Sequence, residues 1–254
     1  MEQGDAIQRQ FGAAAERYAA STFHERSPDL PLMMDAARLC GDERVLDIGT
    51  GTGHTAVAFA PRVAEVVAID LTSAMLEQAR AVAAAAGVEN VRFAEGDAMA
   101  LPCDDASFDV VTCRVCAHHF ADPAAALREA ARVLGPGGRL MLVDSVSPED
   151  PALDTFLNAI ELLRDPSHVR NHSVSQWCAM LRAFGFAPEH LGTFPVPLDF
   201  YEWVERMRTP APVRGQLIGL FDGATGSARE AFRLRTGETP GFDIPIALFR
   251  ATLG

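Results

Sequence analysis

Three glycines spaced two apart, Gly49, Gly51 and Gly53, follow the short apolar run Val45-Leu46-Asp47-Ile48 and lead into a helical stretch through Thr55. Glycines in this pattern put no Cβ between a ligand and the backbone, and the N–H groups that open the next helix can face an anionic group. The turn fits two cofactor classes. Gly51-Thr52-Gly53-His54-Thr55-Ala56 matches the Gly-x-Gly-x-x-Gly/Ala pattern of dinucleotide enzymes, with Asp70 near the distance of a ribose-binding acid. Asp47 separates the two, because a carboxylate two residues before the first glycine opposes a phosphate but suits a ligand with a cationic amino group.

Further acids stand where they can read a nucleoside. Asp70 ends a second apolar run and can accept hydrogen bonds from two vicinal ribose hydroxyls, while Thr72 or Ser73 caps the following helix in its place. Leu71 and Met75 are spaced to pack against a purine face, or to enter the core. Asp97, in Gly96-Asp97-Ala98-Met99, is placed to accept from an exocyclic amine.

Five of the seven histidines fall in segments expected near the site: His118 and His119 after the fourth strand, and His24, His168 and His172 in covering segments. An imidazole with an ordinary pKa of about 6.5 can take a proton from a hydroxyl or an activated carbon. His119 is the first candidate base, His118 the second, and His24 completes the set. Tyr18, His24 and Arg26 are candidate lid or substrate residues; Arg114, Arg164 and Arg170 either hold an acidic substrate or form surface ion pairs. Cys113-Arg-Val-Cys116 has redox or metal spacing, but no second pair completes a zinc site. His168 and His172 have His-x-x-x-His spacing, with Val169 where a zinc protease carries Glu and with Pro166 against a helix. No metal is expected.

The elements that must position these groups alternate. Helical stretches over 7 to 39, broken at Pro28, precede the first strand; Val63 to Asp70, Val91 to Glu95, Ser107 to Thr112 and Arg139 to Asp144 read as further strands. Helices lie between them, one from Ser73 to Ala86 and one opened by Asp122-Pro123 and ended by Gly135-Pro-Gly-Gly138. Strands alternating with helices imply a parallel sheet. Leu153, Phe156, Leu157, Ile160 and Leu163 then form a helical stripe, read as an insertion. Ser173 or Ser175 opens another helix, Pro188 to Pro197 resembles a strand, helical stretches cover Tyr201 to Arg208 and Val213 to Arg235, and a strand closes the chain at Ile244 to Ala251.

The 254 residues are enough for one large α/β domain, with hydrophobic residues at 48% and a net charge of −12. That charge argues against tight binding to nucleic acid or an anionic membrane, which leaves a small molecule as the expected partner. The polar segment Met1 to Gln10 has no signal core and no stretch runs 18 apolar residues, so a cytoplasmic protein without membrane insertion is expected, with a homodimer left open. The five cysteines are scattered and expected to be reduced thiols.

The ordered motifs Val45-Leu-Asp47-Ile-Gly49-Thr-Gly51-Thr-Gly53, Ile69-Asp70-Leu71, Gly96-Asp97-Ala98, Ser107-Phe-Asp109-Val-Val and Ala126 to Leu140 resemble those of class I S-adenosylmethionine-dependent methyltransferases. The nearest branch contains the ubiquinone/menaquinone C-methyltransferases and many small-molecule methylases. The resemblance covers residues 43 to 145, with Phe11 to Tyr18 similar to the leading helix. It implies a Rossmann-like three-layer α/β sandwich whose seven-stranded sheet has an antiparallel last strand between strands five and six. The expected organisation is one domain: a helical lid over 1–40, a cofactor-binding core over 41–145 and a substrate-side insertion with closing strands over 146–254.

By position, the resemblance implies that Gly49, Gly51 and Gly53 line the methionine part of S-adenosylmethionine, with Asp47 near its amino group. Asp70 holds the ribose, Leu71 and Met75 the adenine face, Asp97 and Ala98 its edge, and Arg114 borders the sulfonium. Tyr18, Thr50, Thr55 and Met99 complete the cofactor set, and His168, Arg170 and His172 are the substrate-binding candidates. The expected reaction is in-line methyl transfer to a small molecule, O- or C-methylation, leaving S-adenosylhomocysteine. The segment after the fourth strand departs from the quinone methylases and points away from a quinone. Two alternatives remain: thiol or arsenite methylation through Cys113 and Cys116, and a non-catalytic cofactor-binding subunit.

Overall fold

The computed structural model describes residues 3–12, 15, 18 and 28–254. In chain order the elements are α1 (Gln3–Gly12), α2 (Asp29–Ala36), β1 (Arg44–Ile48), α3 (His54–Phe59), β2 (Glu65–Asp70), α4 (Ser73–Ala86), β3 (Val91–Glu95) and β4 (Phe108–Arg114). They continue as α5 (Pro123–Val133), β5 (Leu134–Ser145), α6 (Pro151–Arg164), α7 (Val174–Ala183), β6 (Phe186–Asp199), α8 (Phe200–Arg206), α9 (Ala211–Asp222), α10 (Gly226–Ala231) and β7 (Gly241–Leu253).

The strands form one sheet in the order β3-β2-β1-β4-β5-β7-β6. β7 pairs antiparallel with both β5 and β6, while the pairings of β1 to β5 are parallel. The direction of winding reverses between β1 and β4, where a doubly wound sheet opens a crevice at its carboxyl edge.

Alternation along the strands fills both faces. Val45, Val110, Met141 and Ile246 enter a core with Phe59, Trp203 and Phe242; their neighbours Leu46, Val111, Leu142 and Ala247 enter another with Trp177 and Phe249. Burial on both faces explains the near-continuous apolar runs of β1 and β4. The helix starts follow their caps. Asp122 accepts from the Ala125 N–H, Asp150 from those of Ala152 and Leu153, and Ser173 makes a capping box with Gln176, so Ser173 rather than Ser175 opens α7.

Several expected boundaries move. β4 runs on to Arg114, which puts Cys113 and Arg114 inside the strand, and β5 starts at Leu134, so Gly135 to Gly138 belong to its irregular beginning. β6 extends to Asp199 despite Pro188, Pro195 and Pro197; it is an edge strand, where a missing N–H leaves no partner wanting. Residues 165–172 form no helix, so His168 and His172 do not share a helix face. The closing helical stretch is divided into α9 and α10. Among the described residues no helix is long and apolar enough to cross a membrane.

Candidate active site

A cavity of about 530 Å³ lies over the carboxyl ends of β1, β2 and β4, with α1 along one side. Gly49 and Gly51 form part of its wall, each in the left-handed region at φ 63° and 55°. A Cβ on Gly49 would come within 2.6 Å of Cys116 Sγ, so this glycine admits a side chain of the protein itself. A Cβ on Gly51 would meet nothing within 4 Å, so there the bare backbone faces open space.

Asp70 ties the end of β2 to this turn. Its Oδ2 accepts from the Gly51 N–H at 2.8 Å and its Oδ1 from the Thr72 N–H at 2.9 Å. Burial pushes its pKa up. Each oxygen keeps a lone pair, and the carboxylate lines the cavity beside Leu71 and Met75. Asp97, whose Oδ1 accepts from the Met99 N–H at 2.8 Å, brings Ala98 and Met99 to the opposite end.

Asp47, Thr50, Gly53 and Thr55 do not line the cavity. Asp47 is only 1% exposed within the sheet, where its Oδ1 accepts from Thr112 Oγ1 at 2.6 Å and its Oδ2 has no hydrogen-bond partner among the described residues. Burial pushes its pKa up to about 6. Gly53 stands at φ 84° where α3 meets α4, and a Cβ there would touch Ala79 at 3.0 Å. Its need for glycine comes from this left-handed backbone and from helix packing. The sequence reading missed Thr52, Thr72 and the α1 residues Gln3, Gln8 and Phe11, all of which line the cavity.

Helix α1 buries no residue completely. Instead three glutamine amides donate to backbone carbonyls around the opening: Gln3 to Ser167 at 2.7 Å, Gln8 to Leu71 at 3.0 Å and Gln10 to Met207 at 2.9 Å. Arg114 also borders the cavity and is held by Asp29 of α2 through a buried ion pair, with Nη2 to Oδ1 at 3.2 Å.

A smaller cavity lies behind the first, and Phe11, Tyr18, Val115 and His119 line both. Phe11 stands edge-on to Tyr18 and His119, with ring centroids 5.4 and 4.9 Å away. The Tyr18 hydroxyl donates to Met207 Sδ at 3.2 Å, and burial pushes its pKa up. Beyond this aromatic partition stand His118, Glu161, Arg164 and Arg206 among Leu198, Trp203, Ile244 and Ile246.

The histidines divide by their partners. His119 Nδ1 donates to the Ser167 carbonyl at 2.9 Å, which leaves the lone pair of a neutral ring on Nε2. Burial first, then the neighbouring His118, push its pKa down to about 4. His118 lines only the smaller cavity; burial works to lower its pKa, but Asp144, 2.6 Å from Nδ1, outweighs that and raises it. His24 and Arg26 lie outside the described residues.

The expected substrate trio lines neither cavity. His168 is buried with Nε2 3.2 Å from Asn158 Oδ1, His172 packs edge-on against Trp177, and Arg170 is held by both oxygens of Asp154. Arg164, expected at the surface or on substrate, is buried over the Trp203 ring. Cys113 and Cys116 bring their sulfurs to 3.3 Å; the Cys113 contact and burial raise the Cys116 pKa well above the usual thiol range.

Buried neutral imidazoles make stability depend on acid. The folded pKa of His119 is about 4 and that of His168, lowered first by burial, about 2, both under the ordinary 6.5. Below pH 6.5 the unfolded chain therefore binds more protons, so stability falls as pH drops from 6.5 toward the folded values. His118 acts oppositely: its raised pKa adds stability that is full below 6.5 and is lost as pH rises through the folded value. Asp47, raised by burial to about 6, also acts oppositely, because it gains its proton in the folded chain before the unfolded one. The expected result is therefore differential: between pH 6.5 and 4.5 the melting temperature of His168→Gln falls less than that of wild type, by at least about 3 °C. Equal changes in the two proteins would contradict the assignment.

Known proteins share the sequence pattern and the fold of this chain. The Methyltransferase domain family profile matches residues 46–142. The chain is 46% identical over 222 residues to the uncharacterized methyltransferase YcgJ of Bacillus subtilis, covering 87% of this chain and 88% of that one. It is 40% identical over 206 residues to the demethylmenaquinone methyltransferase of Deinococcus radiodurans, covering 77% and 81%. The crystal structure of the Bacillus YcgJ protein superposes with a TM-score of 0.85 at 43% identity, covering 88% and 97%.

Proposed function

This chain belongs to the methyltransferase domain family, and on that premise we propose that it moves a methyl group from S-adenosylmethionine to a small molecule held in the smaller cavity, with His119 taking the acceptor's proton. The observation that carries this reading is the place of His119: it lines both cavities and keeps a neutral ring with an uncommitted Nε2. A proton acceptor at that junction reaches the acceptor's reacting atom and the bound cofactor together.

The residues present fit the cofactor. The open face of Gly51 suits a close backbone approach and the remaining lone pairs of Asp70 a ribose diol, while the orphaned Asp47 Oδ2, buried behind the glycine turn and outside the cavity wall, favours a cationic amino group there through its charge. Leu71 and Met75 offer apolar surface and Asp97 an acceptor at the far end. When bound, S-adenosylmethionine supplies an electrophilic methyl group and S-adenosylhomocysteine remains. Helix α1 excludes water from above, and the Phe11, Tyr18 and His119 partition fixes the line between acceptor and donor.

His119 is a weak base, so the proton it takes best is an acidic one. A phenol or a carbon between two activating groups fits that requirement, and a carboxylate needs no base. After the proton moves to Nε2, Nδ1–H stays on Ser167 and Asp165 Oδ2 stands 3.9 Å from Nε2 to offset the new charge. The Deinococcus relative's name concerns a quinone precursor; here His118 and His119 occupy the turn after β4, and the acceptor class is drawn from them.

Thiol or arsenite methylation through Cys113 and Cys116 is disfavoured, because Cys116 fills the space over Gly49 and its thiol is held protonated. The test is transfer of labelled methyl from S-adenosylmethionine to phenols, carboxylic acids, activated methylene compounds, thiols and arsenite. Labelled phenol or carbon product is expected, with the Cys113→Ser, Cys116→Ser double variant within about threefold of wild type. Transfer to thiols or arsenite alone, lost in the double variant, would overturn the reading.

A further inference from the structure

His119 sits on a short helical turn, Ala117–His119, that is clamped from below. Asp144, near the end of β5 and 1% exposed, accepts from the His118 backbone N–H at 2.9 Å through Oδ2 and from His118 Nδ1–H at 2.6 Å through Oδ1. Its Oδ1 also accepts from the Ser145 N–H at 2.8 Å, and among the described residues no arginine pairs with it. The His118 ring is therefore its counter-charge.

The same turn is tied to the loop after α6. The His118 carbonyl accepts from the N–H groups of Val169 and Arg170 at 2.9 and 3.1 Å, while His119 Nδ1 reaches the Ser167 carbonyl. Ring centroids of His118 and His119 are 4.2 Å apart, and His168 stands 5.6 and 6.5 Å from them. The charged groups facing this cluster are Asp144 from β5, Asp165 from the loop, Glu161 and Arg164 from α6, and Arg170 beside His168.

We propose that Asp144 and His118 are a positioning pair for His119: together they fix its turn, commit its Nδ1–H to Ser167, and present a charged ring that keeps Nε2 unprotonated. Neither residue of the pair lines the cofactor cavity, and Asp144 lines neither cavity, so Asp144 acts through His118 and His119, while His118 also borders the smaller cavity. This role rests on the proposal that His119 takes the acceptor's proton. The sign is set by proximity. A cationic His118 at 4.2 Å repels a second proton. Without Asp144, His118 loses its counter-charge and becomes neutral, so the repulsion on His119 is relieved. Without the His118 ring the repulsion is gone and Asp144 attracts a proton to His119 as well.

The test is a pH titration of the histidine rings by nuclear magnetic resonance in the full-length protein saturated with S-adenosylhomocysteine, with ring nitrogens labelled so that the tautomer is read directly. In wild type His119 is expected in the Nδ1–H tautomer and neutral to about pH 5. In Asp144→Asn it should titrate at least about one pH unit higher with a mixed tautomer, in His118→Gln higher still, and Asp144→Glu should recover most of the wild-type behaviour. An unchanged tautomer and titration in His118→Gln, the milder change to the fold, would overturn the pair even if Asp144→Asn fails to fold. Turnover of His119→Gln separates the two claims. Full activity there removes the base, and the ring titrations still decide whether the pair governs His119.

Discussion

Asp70→Ala is expected to weaken S-adenosylmethionine binding by at least about 100-fold, or about 2.7 kcal/mol, in a chain that remains folded. Two losses add. The Gly51 and Thr72 N–H groups lose the carboxylate that joins the glycine turn to the end of β2, and the cavity loses the acceptor placed for a ribose diol. A charge-assisted hydrogen bond contributes about 1.5–3 kcal/mol, so either loss alone is large. Asp70→Asn sharpens the test, because its amide would place a donor against one of two backbone N–H groups and binding should suffer nearly as much. Calorimetry and circular dichroism on the same samples read affinity and fold. Wild-type affinity in folded Asp70→Ala would remove Asp70 from the site.

His119→Gln is expected to leave cofactor affinity within a few-fold and to slow turnover by about 100- to 10,000-fold, or about 2.7–5.5 kcal/mol of barrier. Glutamine can still donate to the Ser167 carbonyl and fill much of the space beside Phe11, but it cannot take a proton. The acid limb of kcat should disappear in this variant. Single-turnover rates with labelled methyl donor check it on whichever acceptor the wild type uses. Loss of cofactor binding in both Asp70→Ala and His119→Gln would refute the division of roles between them.

What was legible in the sequence was local. A glycine turn and the acids that end neighbouring strands are fixed by a few consecutive residues, so Gly49, Gly51, Asp70, Leu71, Met75, Asp97, Ala98 and Met99 reach one cavity as their positions in strand-turn-helix units imply. The strand order with β7 between β5 and β6 was likewise available, through the ordered motifs. Gly53 shows the limit of such reasoning: the same spacing serves a ligand or a helix contact, and only Ala79 on α4 reveals which.

The remainder depends on chain partners far apart in sequence. Nothing near Gln3 marks it as a donor to Ser167, 164 positions away, and nothing near Gln8 points to Leu71. His168, Arg170 and His172 looked like a cluster because of their spacing. Pro166 begins a turn in which Asp165 accepts from the Ser167 N–H at 2.9 Å, and the three side chains go to Asn158, Asp154 and Trp177. His118 and His119 are adjacent in sequence, yet only the positions of Asp144 and Ser167 give one a charge partner and the other a free nitrogen. Arg164 was read as either a substrate-binding or a surface cation; it is buried against Trp203 and Glu161 and lines the smaller cavity, which removes only the surface alternative.

The most direct test of the central claim is calorimetric titration of the purified protein with S-adenosylmethionine, S-adenosylhomocysteine and NAD in parallel. Binding of both sulfur nucleosides without NAD is the predicted result, since Asp47 suits an amino group and opposes a pyrophosphate. Binding of NAD alone would contradict the account and return the glycine turn to the dinucleotide enzymes.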